Sequence, residues 1–135
     1  MILLQIPRFV PRSTIQTRYV APSEKTMSVV KQWREALANP EIPVSTSGHL
    51  APHFSGRRYF YNFLYDYAYF NQGITDETIY ALVSHYEKAD YVVILESEMD
   101  PTDEKVMYYY AHLRANTSFK KVFDKDGIEV YKKQL

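Results

Sequence analysis

A chain of 135 residues with 46% apolar and 24% charged positions fits one folded domain and excludes disordered or collagen-like usage. Its 16 basic residues balance 16 acidic ones, so a phosphate-tracking surface has no global electrostatic support and no nucleic-acid partner is assigned. The absence of cysteine excludes disulfides, thiolate metal sites and cysteine nucleophiles, while 13 tyrosines, each an apolar ring with one polar handle, suit half-wet binding surfaces.

The N-terminus "MILLQIPRFVPRSTIQTRYVAP" opens with an apolar run shorter than the about 20 residues a bilayer span requires. Pro7 and Arg8 break that run, so it does not read as a signal peptide. Residues 1–22 read as an extended arm, or as an edge strand with a loop, and residues 23–135 as a single α/β domain. A helix is expected over 24–38, with Ser23 as its cap, the "NP" at 39–40 as its stop, and Met27, Val30, Trp33 and Leu37 on one face. "IPVSTS" is a β-branched strand ending at Gly48. Pro52 suits the first turn of a short helix around "APHF", which Gly56 closes, and "RRYFYNF" returns as a strand.

Thr75 caps a further helix in which Ile79, Leu82, Val83 and Tyr86 recur at helical spacing. "DYVVIL" is a continuous apolar run, the form taken by a parallel strand covered on both faces. In "DPTDEKVMYYYAHLRAN", Asp100 reads as the cap, Pro101 as the first helical residue, and Val106, Tyr109, Tyr110 and Leu113 as the buried face. "SFKKVFDKDGIEVYKK" is a hairpin whose turn needs positive φ at Gly127. The expected fold is a small mixed α/β sheet, with a parallel centre of Rossmann-like crossovers and a C-terminal antiparallel hairpin.

Ligands of open α/β sheets gather beyond the carboxyl ends of parallel strands. Glu96 and Glu98 follow one such strand and Ser45 to His49 another, so the two segments are expected to face one crevice. His49 and His53 have the spacing of a zinc pair on a helix, but Pro52 starts the helix after His49, and no metal or cofactor is assigned. Tyr59, Tyr61 and Phe63 point one way in an extended strand, either as a stacking platform for sugar rings or as core or a subunit contact. The alternation is expected to break near Asp66, because continuing it to Phe70 exceeds ordinary strand lengths. Arg57 and Arg58 can pair with phosphate or carboxylate. The candidate ligand-binding set is therefore His49, His53, Arg57, Arg58, Tyr59, Tyr61 and Glu96, with no catalytic residue identified. Asn116 opens an "NTS" glycosylation pattern, which matters only outside the cell.

"IPVSTSGHLAPHFSGRRYFYNF", followed by "ADYVVIL" and a terminal "DGIEVYKK", resembles the soluble region of a family of polytopic membrane proteins that look like GT-C type glycosyltransferases. The likeness covers residues 42–95 well and the remainder in outline, and His53, Ser55 and Arg57 or Arg58 carry it. The chain departs from the family where "NFLYDY" continues the aromatic strand and where Glu96 stands for the usual Asp. The resemblance implies an extracytoplasmic, non-catalytic domain attached to membrane helices upstream of Met1. It also implies glycan or lipid-linked sugar as ligand, with residues 1–22 as the tether. A stand-alone small enzyme using His49, His53 and Glu96, or an oligomeric assembly module, are the alternatives.

Overall fold

The computed structural model describes residues 21–63 and 84–135. Helix α1, Glu24–Ala36, starts where Ser23 Oγ accepts the Thr26 amide at 3.1 Å, which satisfies one of the amides left open at a helix start. Strand β1, Val44–Thr46, leads into a 3₁₀ turn at Gly48–Leu50 and helix α2, Ala51–Phe54; β2 is Phe60–Asn62. After a second 3₁₀ turn at Ser84–Lys88 come β3, Tyr91–Leu95, a third turn at Glu96–Glu98, and α3, Glu104–Ala115. Strands β4, Phe119–Lys125, and β5, Ile128–Lys133, close the chain.

The five strands form one sheet in the order β2-β1-β3-β5-β4. β1 runs parallel to both β2 and β3, while β5 is antiparallel to β3 and β4. This is the small mixed α/β fold expected, parallel at its centre and ending in a hairpin. Asp126 and Gly127 both have positive φ, 53° and 81°, the pair that a two-residue primed turn demands to match strand twist. The turn is fastened to α1 by Thr26 Oγ1, which donates to the Asp126 carbonyl at 2.6 Å.

Strand alternation sends side chains into two cores. Val44, Val93, Leu95, Ile128 and Val130 pack with Val29 and Val30 of α1, with Leu37 that caps it, and with Leu50 and Phe54. Val92, Ile94 and Tyr131 pack on the opposite face with Val106, Tyr109 and Leu113 of α3 and with Phe63 and Tyr86. Two apolar faces explain why "YVVIL" carries no polar alternation. Each fully buried large side chain stabilises by roughly 1.5–3 kcal/mol.

Two expectations change, and Phe63 takes the core alternative. Asp103, not Asp100, caps α3: its Oδ1 accepts the amides of Lys105 and Val106. Asp100 instead accepts from the Thr102 amide and hydroxyl, a local turn that keeps Pro101 outside the helix. Phe63 is 1% exposed and contacts Tyr86 and Tyr109, so the flat Tyr59, Tyr61, Phe63 platform ends in the core. Tyr86 and His85 sit in the 3₁₀ turn at Ser84–Lys88, while the rest of the helix expected after Thr75, and the tyrosines from Tyr65 to Tyr69, lie outside the described residues. So do residues 1–20 of the arm.

Candidate functional site

The connections leaving β1 and β3 depart on opposite faces. α2, which follows β1, packs in the core beside α1, and α3, which follows β3, covers the other face. Two adjacent parallel strands whose crossovers diverge leave a crevice at their carboxyl ends, the place where open α/β sheets receive ligands. Here that position lies between residues 47–49 and 96–98, which meet through His49 and Glu98.

Glu98 bridges it. Its carboxylate accepts the His49 backbone amide through Oε1 at 3.1 Å and Oε2 at 3.2 Å, and Oε2 lies 2.9 Å from His49 Nδ1. A carboxylate only accepts, so Nδ1 carries a proton that it donates to Glu98. The Glu98 side chain is 10% exposed and that of His49 54%, so a sheltered carboxylate orients an imidazole that faces solvent. A Cβ built on Gly48 would lie 3.5 Å from Glu98 Oε2, which shows how closely the two segments meet. Behind them Ser47 Oγ accepts the Leu95 amide at 2.9 Å, fixing the spacing of the two strand ends.

The other candidate residues divide. His53 lies on α2 and is half-buried, and it joins His49 in no group of three ligating side chains among the described residues. Arg57, Arg58 and Tyr59 precede β2 and therefore lie at the opposite, amino end of the parallel strands. There the Arg57 guanidinium grips backbone: Nε donates to the Phe54 carbonyl at 2.6 Å, Nη1 to Ile42 at 2.9 Å and Asn39 at 3.4 Å, and Nη2 to Leu37 at 2.8 Å. Burial lowers its pKa from the ordinary guanidinium value. This arginine buckles the end of α1 to α2 and to the entry of β1, with its planar fork committed to carbonyls. Arg58 lies over the exposed Tyr59 ring at 5.3 Å and 3.7 Å from Glu41. Tyr61 is half-buried on β2.

Glu96 leaves the crevice. A 3₁₀ turn has three residues per revolution, so residues two apart project to different sides, and Glu96 turns toward the α3 face while Glu98 reaches His49. Carboxylate oxygens of Glu96, Asp124 and Glu129 lie within 4.8 Å of one another. Tyr110 and Tyr131 each donate to Glu129 at 2.6 Å. Burial first, then hydrogen bonds to Asp124 and Glu129, push the Glu96 carboxyl up to about 7. Its proton thus relieves the repulsion among the three acids. Lys121 donates to Asp124 at 2.8 Å and holds that carboxyl below its usual range. Among the described residues these three side chains form the group able to close on a cation, and a proton and a cation would compete there.

At the far end of α3, a cleft of about 350 Å³ is lined by Glu87, His112, Ala115, Asn116 and Thr117. The buried Tyr86 hydroxyl accepts from Asn116 Nδ2 at 2.9 Å and lies 2.9 Å from His112 Nδ1. Asn116 Oδ1 accepts the Ser118 amide, so both ends of this amide belong to the C-terminal cap of α3.

No family model matches this chain, and no curated protein or solved structure does. Among the described residues no helix is long and apolar enough to cross a membrane.

Proposed function

We propose that this chain is an accessory α/β domain that holds a hydroxyl-rich ligand, a glycan or a polypeptide acceptor, in the crevice between the carboxyl ends of β1 and β3. The observation that carries the reading is the Glu98-held imidazole of His49 at the point where the two crossovers diverge. A solvent-facing imidazole suits a ligand hydroxyl, and a carboxylate that fixes the ring lowers the ordering cost of binding. The likeness of residues 42–95 to the soluble part of glycosyltransferase-like membrane proteins supports an extracytoplasmic setting beside membrane helices, with the sugar chemistry in the membrane part.

Backbone amide spectra of the full chain, recorded during titration with neutral oligosaccharides, test the reading. Shifts confined to Gly48, His49 and Glu98, and lost in His49→Ala, are expected; unmoved crevice amides across the sugar series would defeat it.

The same pair favours a second reading, a small enzyme in which His49 takes a proton from a hydroxyl while Glu98 stabilises the imidazolium. Turnover of an ester or glycoside that disappears in a stably folded His49→Ala would replace the first reading with this one.

A further inference from the structure

The β4–β5 hairpin sorts its charges by face. Asp124 and Glu129 lie on the α3 face, where they share the Glu96 proton and the tyrosine hydroxyls. Lys120 and Lys132 stand directly opposite each other in the ladder, both exposed. They lie on the α1 face, to which Val130 and Phe123 also point. Among the described residues, ion pairs join His49 to Glu98, Arg58 to Glu41 and Lys121 to Asp124, and neither Lys120 nor Lys132 has a carboxylate within such a distance.

Like charges directly opposite in an antiparallel pair oppose folding. Lysine on an outer strand has a ready explanation, since it blocks pairing with another chain, and that covers Lys120 on β4. It does not cover Lys132, because β5 is flanked by β3 and β4. The register extends the row one strand further. Tyr91 of β3 faces Lys132, whose Nζ sits over its half-buried ring 5.8 Å from the centroid in a cation–π contact, and the Trp33 ring lies 6.4 Å from the same ring. The result is one aromatic and two lysine positions in register across three neighbouring strands, spanning two strand spacings or about 10 Å.

We infer that the row Tyr91, Lys132, Lys120 binds an anionic carbohydrate, with its sugar ring beside Tyr91 and a carboxylate, sulfate or phosphate substituent drawing Lys132 off the Tyr91 ring to lie between the two lysines. An anion there turns an unfavourable like-charge pair into a bridged one, and the aromatic ring beside it gives a sugar preference over a bare polyanion. The row lies at the amino end of β3, whereas the His49 crevice lies at its carboxyl end, so the two surfaces share a ligand class and no residue.

Trp33 is the sole tryptophan and reports on the row. Titrating the full chain with dextran sulfate at low ionic strength should change its fluorescence saturably, with weakening by salt and no response to neutral dextran. Lys120→Glu should abolish the response and raise Tm together, because it creates an opposite-charge cross-strand pair; loss of binding with a gain in stability cannot come from unfolding. Tyr91→Leu should erase the preference for dextran sulfate over poly-glutamate. His49→Ala should leave the response intact, which separates this surface from the crevice. The inference is overturned by no response to dextran sulfate, by an equal response to poly-glutamate in the unaltered chain, or by unchanged binding in Lys120→Glu.

Discussion

The two ends of the parallel sheet are each secured by one charged side chain, and they are secured in different ways. At the amino end Arg57 spends its guanidinium on four backbone carbonyls. At the carboxyl end Glu98 binds one amide and one imidazole, and the imidazole faces solvent. A side chain that grips only backbone serves the fold, while one that orients another side chain toward water leaves chemistry to be used. The contrast separates the arginine from the histidine among residues that looked equally suited to ligand binding.

Breaking the amino end should have the largest effect. Arg57→Ala abandons four carbonyls, the Leu37 carbonyl at the end of α1 among them, and should cost about 3 kcal/mol in urea unfolding. Arg57→Lys should recover only part of this, since one ammonium cannot reproduce the fork. Recovery of full stability by lysine would remove the clasp reading.

The carboxyl end should respond with smaller and partly opposite changes. Ser45 Oγ and Thr46 Oγ1 are buried without a hydrogen-bond partner among the described residues. Thr46→Val keeps the shape and removes the orphan hydroxyl, so it should stabilise by about 1 kcal/mol; a clear loss of Tm would show that the hydroxyl has work at the strand end.

Glu96 adds a pH dependence of unusual sign. Its carboxyl is raised to about 7 in the folded chain by burial and by its acidic neighbours, above the ordinary value of about 4.3 in an unfolded chain. The folded state therefore holds the extra proton between these values. The stability it contributes is fully present below the unfolded value and is lost as pH rises through about 7. Discounted for the screening of a partly exposed group, the loss should be about 1 kcal/mol between pH 5 and 8. Glu96→Gln should flatten that part of the denaturation profile, and an unchanged slope would count against the shared proton.

The smallest stability effect should come from Glu98→Gln, about 0.5–1 kcal/mol, yet it should alter the crevice most. An amide NH₂ placed against Nδ1–H would favour the other tautomer, which ¹⁵N shifts of the His49 ring would show. Retention of the Nδ1–H form would mean that something other than Glu98 sets the ring.

Much of the fold was legible because local signals and burial agreed. Ser23 caps its helix, "YVVIL" is covered on both sides, and "DG" turns the hairpin. The facing of residues 45–49 and 96–98 also followed from the rule on strand ends. What did not follow was which glutamate would reach His49, because that depends on a three-residue 3₁₀ turn that periodicity cannot separate from a strand end or a helix start. Asp100 misled for a similar reason: two aspartates three apart both suit a cap, and only the path of Pro101 decides between them. The Glu96, Asp124, Glu129 cluster needed the hairpin register, with its irregularity between Lys121 and Phe123, to bring distant acids together. Arg57 beside Arg58 looked like a ligand-pairing cation because its partners are carbonyls, which every residue has.

That last feature bears on how the sequence can drift. A clasp closed on the carbonyls of Leu37, Asn39, Ile42 and Phe54 makes no demand on their side chains, so substitutions at those four positions can accumulate without loosening it. The contact would then leave no paired changes for a covariation search to find, and its whole imprint on the sequence would be one arginine and the path of the chain around it.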